Sequence, residues 1–117
     1  MIDEYIVALR YLRSGLSVIP IQTDGTKRPA FNVLPEVCCL KARRQKRTWD
    51  PFKYRHASEG EVLEWFCWDD RAIGIVCGSI SGMLEVIDFD DGSLFEPWKY
   101  LAGSIVDRLP VVSTGGN

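Results

Sequence analysis

Asp88 and Asp90 stand one residue apart at the end of an apolar run, in the stretch Leu84 to Gly92, LEVIDFDDG. Side chains alternate along a β-strand, so on a strand these two carboxylates project from one face, behind Leu84 and Val86, while Ile87 and Phe89 project from the other. Two carboxylates held side by side repel each other, and a divalent cation between them removes that repulsion. Mg²⁺ or Mn²⁺ prefers such hard oxygen donors and completes its shell with water and substrate phosphates. The same residues, continued through Asp91 and Gly92, also read as a solvated turn. Short Asp-x-Asp matches arise by chance, and the local pattern leaves both readings open.

Two further stretches carry potential chemistry. Ser113, Thr114, Gly115 and Gly116 follow the apolar segment LPVV. Glycines after a strand let backbone N–H groups approach an anion, and the hydroxyls add donors, although a Gly-Gly pair is ordinarily only a turn. The segment lacks the lysine and spacing of a Walker A loop. Lys41, Arg43, Arg44, Lys46 and Arg47 form a short basic run, with Trp49, Phe52 and Tyr54 close behind. Cations contact phosphates and aromatics stack on bases, which makes this run a nucleic-acid candidate. Its ordinary reading is a solvated charged face or loop.

Several elements must position these residues. Ile2, Tyr5, Ile6, Leu9 and Leu12 share one helical stripe, with acids in the first turn and Gly15 as a stop, predicting a helix from about Asp3 to Ser14. LSVIPI, Leu16 to Ile21, reads as a strand, and the loop QTDGTKRPA after it carries Lys27 and Arg28. Residues 33–57 are the least legible. Ser58 and Glu61 form a capping box for a helix from about Glu59 to Trp68. Ala72 to Cys77 and Met83 to Asp90, joined by GSISG, read as a β-hairpin. Gly92 to Asp107 reads as helical, and LPVVS as a last strand. Trp65, Trp68 and Trp98 read as core. The order is α-β-α-β-β-α-β, an α+β class with a mostly antiparallel central sheet.

The chain has 117 residues, 46% hydrophobic and 26% charged, which suits one modest globular domain. A formal net charge of -2 excludes a globally basic nucleic-acid binder. The acidic N-terminus is unlike a secretory signal, and no apolar run reaches the ~20 residues that span a bilayer. The expectation is a soluble, cytoplasmic protein. Cys38, Cys39, Cys67 and Cys77 lack zinc-ligand spacing and read as reduced thiols.

Taken in order, several stretches resemble the N-terminal part of bifunctional primase–polymerase (prim-pol) domains of the archaeo-eukaryotic primase superfamily. ALRYLRSGLSVIPI resembles the opening helix, glycine and strand, TKRPA the Lys-x-Pro loop, and SEGEVLEWF the following helix. AIGIVCGSISGMLEVIDFD resembles the glycine-marked strand, Ser-Gly turn and strand ending in Asp-x-Asp. LPVVSTGGN resembles the approach to the second motif. The resemblance implies a primase–polymerase-like half-domain spanning residues 1–117 and template-directed nucleotidyl transfer on nucleic acid with NTP or dNTP. It implies Asp88 and Asp90 as catalytic metal ligands and Lys27 and Ser113 to Gly116 near the nucleotide. The family's later histidine and third carboxylate fall beyond Asn117, so the expectation is a truncated chain, weak or inactive alone, with unpaired sheet edges that favour self-association. A helicase domain or replication partner is also implied. Two other readings remain: a non-catalytic module binding single-stranded nucleic acid or nucleotide through the basic run, and an assembly domain with a vestigial site.

Overall fold

The computed structural model describes residues 2–39 and 43–112. The chain divides into two compact units, Met1–Val86 and Ile87–Asn117. In the first, helix α1 (Ile2–Arg13) carries acids in its first turn and arginines in its last, matching the helix dipole at both ends. Ala8 is its buried contact, with Tyr5 and Leu12 packed beside it, whereas Ile2 and Ile6 are exposed. The buried stripe runs through Tyr5, Ala8 and Leu12 and is therefore rotated from the expected one. Gly15 ends the helix with φ +92°, a conformation that glycine adopts without strain.

Strand β1 (Ser17–Ile21) pairs antiparallel with β4 (Ala72–Val76), in a register that sets Ile19 opposite Gly74. A larger residue there must displace the isoleucines of β1. A Cβ on Gly74 would lie 2.8 Å from Ile21 Cδ1 and 3.1 Å from Ile19 Cγ1. Pro20 is tolerated in β1 because its missing N–H faces a loop, and its carbonyl accepts from Ala30 N at 2.9 Å. Ser81 finishes the β1–β4 ladder from a 3-10 turn, Ser79–Ser81. Its Oγ accepts from Ser17 N at 2.9 Å and donates to the Val76 carbonyl at 2.5 Å.

Helix α2 (Glu59–Phe66) starts at the expected capping box: Ser58 Oγ accepts from Glu61 N at 3.1 Å, and Glu61 Oε1 accepts from Ser58 N at 2.9 Å. It buries Val62, Trp65 and Phe66 against Val18, Leu34 and Phe52. Phe52 and Trp65 meet edge to face, with ring centroids 5.2 Å apart, and Trp65 Nε1 donates to the Val33 carbonyl. Trp68 does not join this core; it is 72% exposed just past the helix end.

The α+β class with antiparallel pairing holds, but the order of elements differs from the expectation in two places. The illegible segment contains an antiparallel hairpin, β2 (Glu36–Cys39) with β3 (Arg44–Arg47). Conversely, residues 83–90 do not form a strand paired to β4. A single bridge joins Gly78 to Leu84, and no ladder continues through Glu85 to Phe89. Gly82 and Met83 both take positive φ, +69° and +66°, and beyond them Val86 and Ile87 are 69% and 60% exposed. Alternating apolar residues make a segment strand-competent, but ladder hydrogen bonds define a strand. β4 takes its partner from β1 instead, and among the described residues its other edge has no partner strand.

In the second unit the expected long helix is interrupted. A 3-10 turn, Gly92–Leu94, leads into α3 (Phe95–Ala102), which gives way at Gly103 (φ +70°) to a 3-10 segment, Gly103–Arg108. Phe89, Phe95 and Trp98 form an aromatic cluster, with Phe89 5.6 Å from Phe95 and 5.3 Å from Trp98. The expected last strand is not formed over Leu109 to Val112, where Val111 and Val112 are exposed. No helix among the described residues is long and apolar enough to cross a membrane.

Candidate functional site

Asp88 and Asp90 lie on an irregular, solvent-exposed segment, with Phe89 between them turned into the aromatic cluster. That contact anchors the segment by its apolar residue. Neither carboxylate takes part in an ion pair or side-chain hydrogen bond among the described residues, so both retain their full acceptor capacity. Asp91 behaves differently. Its Oδ1 accepts from Ser93 N at 3.0 Å and from Ser93 Oγ at 2.7 Å, capping the turn at Gly92. These two donors lower its pKa from the ordinary carboxylate value. The choice between turn and metal site thus divides by residue: Asp91 makes the turn, and Asp88 and Asp90 are left uncommitted.

As a donor set, two hard carboxylates fit a divalent ion that draws its remaining ligands from water and phosphate. No third histidine, cysteine or acid joins them, and among the described residues no group of three or more such side chains is placed to hold a metal. The cysteines follow the same pattern: Cys38, Cys67 and Cys77 are free thiols.

In the first unit, Lys27 sits at the tip of the loop after β1. Asp24 Oδ1 accepts from Thr26 N and Oγ1, at 3.0 and 2.6 Å, and Gln22 N donates to the Arg28 carbonyl at 2.8 Å. The two Thr26 donors hold the exposed Asp24 carboxyl below its usual pKa. The closed loop forces Lys27 to φ +59°, in the left-handed region. Its side chain lines a groove of about 630 Å³ with Ile19, Ile21, Trp49, Lys53 and Gly74. Lys53 Nζ lies 4.7 Å from the Trp49 ring centre and 3.1 Å from Asp50 Oδ1, so its charge is shared locally. Lys53 escaped the sequence reading because nothing local marks it; it reaches the groove only through the 3-10 turn Asp50–Lys53.

The basic run is partly assigned to the hairpin. Arg43 occupies its turn with φ +50°, and Arg44, Lys46 and Arg47 are on β3. Arg47 is engaged: it donates to the Leu34 carbonyl at 2.9 Å and pairs with Glu36 at 3.3 Å. Lys41, Ser113, Thr114, Gly115 and Gly116 lie outside the described residues.

With this geometry in view, the family pattern described as "Bifunctional DNA primase/polymerase, N-terminal" (Prim-Pol) matches residues 8–116. The chain belongs to this family. No curated protein and no solved structure matches it. Membership assigns the Prim-Pol chain to DNA primase/polymerase function in general, with nucleic acid and nucleotides as the substrate classes. Prim-Pol family members generally use divalent metals. The match contains the second half of α1, both strands of the β1–β4 pair, the basic hairpin and the Asp88–Asp90 segment.

Proposed function

We propose that this Prim-Pol domain contributes to template-directed nucleotidyl transfer, with Asp88 and Asp90 as the carboxylates that hold Mg²⁺ or Mn²⁺. The observation that supports this most is the division of labour in the Asp88 to Asp91 run. Asp91 is bonded into a turn, and the two residues of the Asp-x-Asp pair are exposed with their oxygens free. A divalent ion bound there would supply charge neutralisation at the phosphate oxygens of an incoming nucleotide. Asp88 and Asp90 would contribute hard donors and orient them. Phe89, packed against Phe95 and Trp98, would limit how far the segment carrying them moves. Lys27, held at a loop tip with its ammonium group unpaired among the described residues, is suited to a phosphate of nucleotide or template. Ser113 to Gly116 are proposed to approach the nucleotide through hydroxyl and backbone N–H groups.

The test is Asp88→Asn combined with Asp90→Asn, in a chain that is active in primer synthesis. Primer synthesis and extension should fall to background while the fold, read by circular dichroism, is retained. Primer extension that survives the pair refutes the assignment.

A further inference from the structure

The β2–β3 hairpin sorts its charges by face. Residues two apart on β3 share a side, so Arg44 and Lys46 project together, about 6.6 Å apart along the strand, opposite Cys39 and Val37. Gln45 and Arg47 project from the other side, opposite Cys38 and Glu36. On that side the charge is cancelled: Arg47 pairs with Glu36 and donates to the Leu34 carbonyl. Arg44 and Lys46 are exposed, and neither has an ion pair or side-chain hydrogen bond among the described residues. No acid stands opposite them on β2. One face of a short ribbon therefore presents two free cations at regular spacing, and the other has consumed its cation in holding the ribbon to Leu34.

We infer that the Arg44–Lys46 face of the hairpin contacts the phosphates of a single-stranded nucleic acid, and that Arg47 is a positioning residue that does not touch it. This rests on the primase–polymerase reading, which makes a nucleic-acid strand the substrate, and it names the surface that receives that strand. Charge complementarity selects the occupant: a polyanion with repeating phosphates suits two cations in line with no acid between them. The sequence alone treats the basic run as one block; the strand register divides it.

The test is equilibrium binding of a fluorescent single-stranded oligonucleotide to the whole chain in EDTA, across a salt series. Each phosphate contact on a single strand contributes about 0.7 to the slope of log K against log[salt], so Arg44→Ala with Lys46→Ala should reduce that slope by about 1.4 and weaken binding roughly 10- to 100-fold at 50 mM salt. Arg44→Lys with Lys46→Arg should keep the slope. Arg47→Ala should leave the slope unchanged and lower the melting temperature. An unchanged slope in the double alanine variant overturns the inference, as does an equal drop with Arg47→Ala, a loss seen only with duplex, or no binding by the wild-type chain. Because EDTA removes divalent ions, these outcomes are independent of the Asp88 and Asp90 assignment, which primer extension tests separately.

Discussion

Ser81→Ala removes one hydroxyl and should destabilise the first unit out of proportion to its size. Ser81 Oγ accepts from Ser17 N and donates to the Val76 carbonyl, so it replaces the last rung between β1 and β4. Ser17 is fully buried and Ser81 only 5% exposed, leaving no solvent to take over either bond. A net hydrogen bond contributes about 1 kcal/mol, and an unsatisfied buried donor or acceptor costs about 1–3 kcal/mol. Two lost bonds therefore predict about 2 kcal/mol, or a melting temperature lower by about 8–16 °C for a unit of this size. Ser79→Ala, exposed in the same turn, is the control and should stay within about 0.5 kcal/mol. Urea denaturation followed by tryptophan fluorescence reads both. A Ser81→Ala loss no larger than that of Ser79→Ala would refute the idea that this serine closes the ladder.

Two more predictions follow from side-chain geometry. Burial raises the Glu61 pKa, but the Arg55 guanidinium, at 2.8 and 3.2 Å, and the Ser58 N–H outweigh it, leaving the carboxyl below the ordinary glutamate value. Its stabilisation is thus present in full above pH 4.5 and lost as pH falls through the lowered folded value, so the stability difference between wild type and Glu61→Gln should shrink on acidification below that point. Gly74→Ala should cost about 1–3 kcal/mol in urea denaturation, because the added Cβ drives Ile21 from its place; a neutral result would mean that Ile21 turns into the groove without strain.

Where local chemistry decides structure, the sequence is readable. The Ser58–Glu61 capping box, the Gly15 stop and the apolar β1 all stand where residue type alone puts them. The failures are non-local. β4 pairs with β1, more than fifty residues earlier, and not with the adjacent Met83 to Asp90 segment that its Ser-Gly turn invites. The basic hairpin hides because β3, Arg44–Arg47, is wholly polar and exposed, carrying no alternation to mark a strand. At the candidate site, spacing picks out Asp88 and Asp90, but their separation from Asp91 needs the Ser93 hydrogen bonds. The strand alternation that would place both carboxylates on one face is not formed there, since residues 85–89 have no ladder. Lys53 and Trp49 come to Lys27 only through tertiary packing.

The most direct test of the central claim is the site of Mn²⁺ binding, mapped by paramagnetic broadening of amide resonances in the whole chain. Broadening should centre on residues 88–90 and disappear with Asp88→Asn plus Asp90→Asn. Broadening that centres elsewhere, or that persists unchanged in the double variant, would contradict the assignment of these two aspartates as the metal ligands.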